Sequence, residues 1–220
     1  MTVYDEIDSM NARASRAAGQ RASCRIHLYS EGTKAKLKNA QFALSSLKDL
    51  TSQTDAPSAS GCPEFQVEEK VHFYVDSFFA FLYSTFDVIS HVVNQALRLR
   101  IDEDKVSFNQ VKKELDRVRS GSNVQQTFSA ISRSDHFKNL DKYRNCSTHR
   151  RQIYIKVRIV TTTETPGYSA SGVITTVERV LCDDPLNLRP SLAQNRELLR
   201  YCSDMLAKVE SSVVRIARTL

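Results

Sequence analysis

VEEKVHFYVDSFFAFLYSTFDVISHVVNQALRLR, residues 67–100, is the stretch whose reading decides the fold. Apolar side chains recur at Val71, Tyr74 or Val75, Phe78, Leu82, Phe86, Ile89, Val93 and Leu97. Steps of three and four are the period of an α-helix. Phe79, Phe81, Val88 and Val92 widen the stripe. At ~1.5 Å per residue such a helix is about 50 Å long. A face this wide needs cover on more than one side, from other helices or from a second copy of the chain. Six of the ten Phe residues fall between Phe65 and Phe86, so this segment reads as the centre of the core. It is not read as a membrane span, because Asp76 and Asp87 interrupt a stretch that would need about 20 apolar residues.

Working outward, Leu37, Ala40, Leu44, Leu47 and Leu50 predict a helix over Thr33 to Leu50. Residues 1–30 read as a weakly ordered segment or a short helix near Val3 to Ala18, and 31–220 as one helical domain. Ser, Thr, Pro and Gly between Thr51 and Pro63 predict a loop over 51–65. Downstream, Ser107 to Arg119 forms a helix with Ser107 as its cap and Gly121 ending it. Asn123 to Ile131 is a short helix. Ser134 to Arg150 is another, with Ser134 as N-cap and Phe137, Leu140 and Tyr143 inward. The period then changes to two in Ile153 to Ile159, and a second β-branched run spans Val173 to Leu181. With Pro166, Gly167 and Gly172 between them, these runs predict a β-hairpin over about 152–181, with one aliphatic face and one basic face. Ser191 to Thr219 closes the chain as a long amphipathic helix.

The formal net charge of +6 is concentrated. Eight Lys or Arg and two Asp lie between Arg133 and Arg158, a local surplus equal to that of the whole chain. Such a patch suits a polyanion, although a solvated helix face has the same composition. Cys24, Cys62, Cys146, Cys182 and Cys202 are odd in number and widely spaced, with no C-x-x-C pair. That spacing argues against a zinc site or a disulfide framework, and reduced thiols in a cytoplasmic protein are expected. Asp5, Glu6 and Asp8 leave no apolar run for a signal peptide.

Inside the basic window stands Arg144-Asn145-Cys146-Ser147-Thr148-His149, followed by Arg150 and Arg151. An Arg holds a phosphate through a planar fork of donors. A His exchanges protons near neutral pH. Together they suffice for RNA cleavage by internal attack. The ribose 2′-OH attacks phosphorus, His149 acts as acid or base, and Arg144 clamps the phosphate. Asn145 would orient the His or donate to a phosphate oxygen. Arg150, Arg151, Tyr154, Lys156 and Arg158 would guide the RNA backbone. Neither metal nor cofactor is expected. Structural alternatives stay open: His149 as a C-terminal cap, Arg144 paired with Asp87, Cys146 as a packed small residue, and the remaining His residues as structural or surface groups.

The string Tyr-Arg-Asn-x-x-x-His-Arg from Tyr143 to Arg150, with the aromatic long helix carrying Asp87, resembles the HEPN superfamily, above all its stand-alone bacterial members. The resemblance implies an all-α, HEPN-like helical bundle with a β-hairpin inserted before the last helix. It also implies a metal-independent endoribonuclease in a toxin or antiviral-defence role, with Arg144, Asn145 and His149 as the catalytic signature. Such proteins work as homodimers with the motif helices at the interface, so a homodimer is expected. An antitoxin or regulatory protein is a further expected partner. Toxins of this superfamily that pair with small nucleotidyltransferases carry a Tyr two residues after the His; here that position is Arg151. Some HEPN domains bind without cutting. The alternatives are therefore a non-catalytic RNA- or protein-binding module, and more distantly a helical scaffold.

Overall fold

A computed structural model describes residues 1–54, 64–149, 159–163, 173–177 and 195–220, with side chains over 1–50, 70–145 and 198–220. Seven α-helices lie among these residues: α1 (Val3–Ala17), α2 (Gln20–Thr54), α3 (Glu64–Leu97), α4 (Phe108–Val118), α5 (Asn123–Arg133), α6 (Asp135–His149) and α7 (Asn195–Thr219). They form an all-α bundle around α3, which packs on α1, α2, α4, α6 and α7. Two short strands, β1 (Ile159–Thr163) and β2 (Val173–Val177), pair antiparallel with Ile159 opposite Val177 and Thr163 opposite Val173. The rest of the 152–181 segment lies outside the described residues.

The stripe read from residues 67–100 is the buried face of α3. Phe78, Leu82, Phe86, Ile89, Val92 and Val93 are fully buried, and Val71, Val75 and Phe79 nearly so. The most extensive contact of α3 is with α2. Gly32 lets the two helices approach closely, since a Cβ there would sit 3.1 Å from Val88 Cγ1. On the other side of α3 four rings interlock. Phe108 lies 4.7 Å from Phe128, 4.5 Å from Phe137 and 5.4 Å from Phe86, joining α4, α5, α6 and α3.

The loop read over 51–65 is shorter, since α2 continues to Thr54 and α3 already begins at Glu64, and three further features differ from the sequence reading. The long helix stops at Leu97 rather than Arg100. Arg98 takes a left-handed φ of 53° there, and the Asn94 side chain bonds both the N–H and the C=O of Ile101, turning the chain toward α4. Second, α2 begins at Gln20 and runs unbroken through position 30, and Ile7, Met10 and Ile26 share the common core. Polar residues on its inner face conceal that helix: Ser30 and Thr33 are buried, and Thr33 returns its hydroxyl to the Tyr29 carbonyl. Third, Ser134 precedes α6 as expected, but its hydroxyl donates to the Ile131 carbonyl of α5 rather than capping α6.

The chain ends meet. Thr2 and Asp5 form a capping box on α1. Arg218 of α7 pairs with the buried Glu6 at 2.6 Å, and Arg13 donates to the Ala217 carbonyl at 2.8 Å. No helix among the described residues is long and apolar enough to cross a membrane.

Phe108→Ala is expected to lower unfolding free energy by about 3–5 kcal/mol in urea denaturation. A loss below about 1 kcal/mol would show that the ring cluster does not hold the bundle. A second outcome concerns pH. His136 Nε2 lies 3.0 Å from Ser212 Oγ. Burial lowers its pKa below the usual 6.5, Lys208 and Arg215 lower it further, and Asp135 opposes them. The unfolded chain therefore takes up this proton more readily, so stability is lost as pH falls below about 6.5. His136→Gln should flatten the decline between pH 7 and 5; an unchanged slope would remove His136 as its source.

Candidate functional site

The Arg-Asn-His signature lies at the C-terminal end of α6. What positions it is the contact of α6 with α3. Near the start of α6, Phe137 meets Tyr83 at 6.0 Å and Phe86 at 5.3 Å. Two turns later Tyr143 stacks on Phe79 at 4.1 Å, and its hydroxyl donates to Asp76. Residue numbers rise along α6 while they fall along α3, so the helices run antiparallel. Tyr143 is buried beside Arg144, which anchors the motif to the core.

Arg144 turns toward α3. Its Cζ lies 4.7 Å from the centroid of the Tyr83 ring, a cation–π contact. Two carboxylates flank this pair. Asp87 stands one helical turn after Tyr83, and its Oδ1 accepts the Phe108 amide at 3.0 Å, holding the N-terminus of α4. Burial raises the Asp87 pKa, while the Phe108 amide and the Arg144 charge act the other way. Asp141, on α6 itself, is the second carboxylate. Burial pushes the Tyr83 hydroxyl up to about 12, and both Asp87 and Asp141 add to that rise. The Arg144 charge opposes it. Asp87 thus serves both the α4 terminus and the electrostatic surroundings of Arg144.

Asn145 leaves α6 in another direction. It is exposed, and its Nδ2 donates to Asp141 one turn back at 3.4 Å. Positions 138, 142, 145 and 149 follow steps of four, three and four, so they share one helix face within roughly 60°. Lys138, Lys142 and Asn145 on that face are exposed. Phe137, Leu140 and Tyr143 mark the buried face on the opposite side. Arg144 and position 149 are separated by roughly 140° around the axis and about 7.5 Å along it. Within one chain the helical register therefore does not set Arg144 and position 149 on the same face of α6.

The side chain of His149 lies outside the described residues, as do Arg150, Arg151, Tyr154, Lys156 and Arg158. Two residues beside Arg144 were not legible in the motif, Tyr83 and Asp141. The only signal for Tyr83 was its four-residue spacing from Asp87 on the same helix, which is equally the spacing of core residues. His91 continues that ridge. It is stacked on Tyr29 at 4.5 Å, and burial lowers its pKa. Cys202 is packed in the core, and its thiol is pushed up to about 12 by burial. Among the described residues, no group of three or more His, Cys, Asp or Glu is arranged to hold a metal ion.

Chemically, the described part of the site offers a cation held over an aromatic ring. An exposed amide and two exposed lysines line the adjoining helix face.

The model of the Cthe2314-like HEPN family matches residues 31–183, more than half of the chain. The match contains α3 to α6, the complete motif and both strands. No curated protein and no solved structure matches the chain. With the motif seated on the central helix of an all-α bundle and the family match spanning both, this chain belongs to the Cthe2314-like HEPN family.

Proposed function

We propose that this chain is a metal-independent endoribonuclease of HEPN type. The observation that carries the reading is the Arg144-Asn145-x-x-x-His149 signature at the C-terminal end of α6, inside the span matched by the family. The reaction runs by transesterification. The ribose 2′-oxygen bonds to the adjacent phosphorus, and its proton passes to a general base. The bond from phosphorus to the 5′-oxygen breaks, and a general acid protonates that leaving oxygen. The products are a 2′,3′-cyclic phosphate and a 5′-hydroxyl. The requirement for a 2′-OH selects RNA over DNA. His149 acts as acid or base, Arg144 stabilises the charge on phosphorus, and Asn145 orients the His or donates to a phosphate oxygen.

A homodimer with the α6 helices at its interface suits the register. Arg144 and position 149 diverge on one helix, and two helices across a two-fold axis set each beside its counterpart in the other copy. The RNA then tracks along the face of Lys138, Lys142 and Asn145, continued by Arg150, Arg151, Tyr154, Lys156 and Arg158. Among the described residues Lys34, Lys105 and Lys112 are neutralised by carboxylates, whereas no ion pair is found for Lys138 or Lys142. A nuclease of this kind fits a cytoplasmic toxin or antiviral-defence role, restrained by an antitoxin or regulatory protein.

The decisive experiment is RNA cleavage in EDTA by the purified chain and by folded His149→Ala. The parent should cut and leave 2′,3′-cyclic phosphate ends, and the variant should lose about 100-fold or more. Equal cutting by both would sink the assignment of His149. Binding that survives His149→Ala, with cutting by neither, would favour the non-catalytic module instead. A second outcome concerns the track. Lys138→Glu with Lys142→Glu should weaken RNA affinity and reduce the slope of log K against log salt by about 1–2. An unaltered slope would place the RNA elsewhere.

A further inference from the structure

We propose that Asp141 is a positioning residue: by accepting the Asn145 amide it turns the Asn145 carbonyl oxygen toward position 149, where that oxygen takes the Nδ1–H of His149 and leaves Nε2 to exchange the proton with the RNA. This rests on the endoribonuclease reading and adds a residue outside the signature. It also assigns Asn145 to the histidine rather than to a phosphate oxygen.

Asp141, Asn145 and position 149 are spaced four apart, so they form one ridge on successive turns of α6. Asn145 Nδ2 donates back along that ridge to Asp141 Oδ2 at 3.4 Å. The contact fixes the sense of the amide, because a carboxylate has no proton to give and only the NH2 edge can face it. The carbonyl oxygen then lies on the far edge, away from Asp141 and toward the next turn. It can only accept, and a histidine N–H one turn on is a matching donor. A hydrogen bond at one ring nitrogen of a His decides which nitrogen carries the proton. The surroundings of Asp141 support the role. It is half-buried, whereas Lys138, Lys142 and Asn145 are exposed. After burial, its charge is among the causes that raise the pKa of both Tyr83 and Asp87, so the carboxylate stands on the α3 flank of the ridge. A carboxylate beside a track for a polyanion repels it. Among the described residues Asp141 is not neutralised by Lys138 or Lys142, and its hydrogen bond goes to Asn145 instead. A duty toward Asn145 accounts for a carboxylate in that place.

The test compares the full chain with Asp141→Ala, Asp141→Glu, Asn145→Ala and Asp141→Ala/Asn145→Ala. The first readout needs no RNA. It is the NMR nitrogen shifts of the His149 ring, assigned by their loss in His149→Ala, at a pH where the ring is neutral. The parent should hold the Nδ1–H tautomer, the minor form of a free histidine side chain. Asp141→Ala and Asn145→Ala should each return it to Nε2–H. An Nε2–H tautomer in the parent, or Nδ1–H retained in Asp141→Ala, would overturn the proposal. The second readout is cleavage of an RNA oligonucleotide. Asp141→Ala should lose about fivefold or more in kcat without a rise in KM, and Asp141→Glu should regain most of it. Added to Asn145→Ala, the Asp141→Ala change should cost less than about twofold, because the amide it positions is already absent. A mere surface charge predicts the reverse, a lower KM with kcat unchanged, and that result would reduce Asp141 to one. Failure of the parent to cleave would bring down the nuclease reading, while the tautomer would still decide whether Asp141 acts on His149 through Asn145.

Discussion

Everything in this molecule depends on covering α3. A helix of 34 residues with a wide aromatic and aliphatic face has to bury that face against other elements. Burial of apolar surface at roughly 25 cal/mol per Å² is the dominant force that recruits the other helices. The long neighbour α2 takes one side, drawn close by Gly32. On the other, α4, α5 and α6 contribute one ring each to the cluster that includes Phe86. The terminal α7 and the first helix α1 complete the cover, tied by Glu6 and Arg218.

The functional end inherits its geometry from the same contact. Because Tyr143 is anchored to Phe79 and Asp76, the residue after it cannot roll freely around the bundle. The fold thereby commits Arg144 to the α3 side and turns the face of Lys138, Lys142 and Asn145 outward. Asp87 illustrates how closely structure and site are joined. One of its oxygens holds the amide that begins α4, while its charge faces Arg144. A carboxylate with two such duties is buried at a cost, which its raised pKa records.

Most of the architecture was legible because helical periodicity is strong where apolar side chains are large. The stripe of α3 is buried where the period placed it, and the amphipathic pattern of α7 is matched by a buried face of Leu198, Cys202, Val209, Val213 and Ile216. Ser107 caps α4, and Gly121 follows it with a positive φ of 80°. The reading weakened where a helix buries small or polar residues. The first half of α2 escaped for that reason, since Ser30 and Thr33 point inward. The end of α3 also escaped. Periodicity carries through Arg98 and Leu99, and only the bonds from Asn94 to Ile101 show why the chain turns.

For this protein, the sequence by itself determined the central helix, the helical class of the fold and the identity of the motif residues. Each of these is encoded locally, in the spacing of apolar side chains or in a short run of chemically distinctive ones. Only the tertiary structure decided which groups surround the motif. Tyr83 is 61 positions from Arg144 and joins it because two antiparallel helices pack through Phe79, Phe86, Phe137 and Tyr143. A pairing between helices has no period along the chain, and it arises when their apolar faces leave water together.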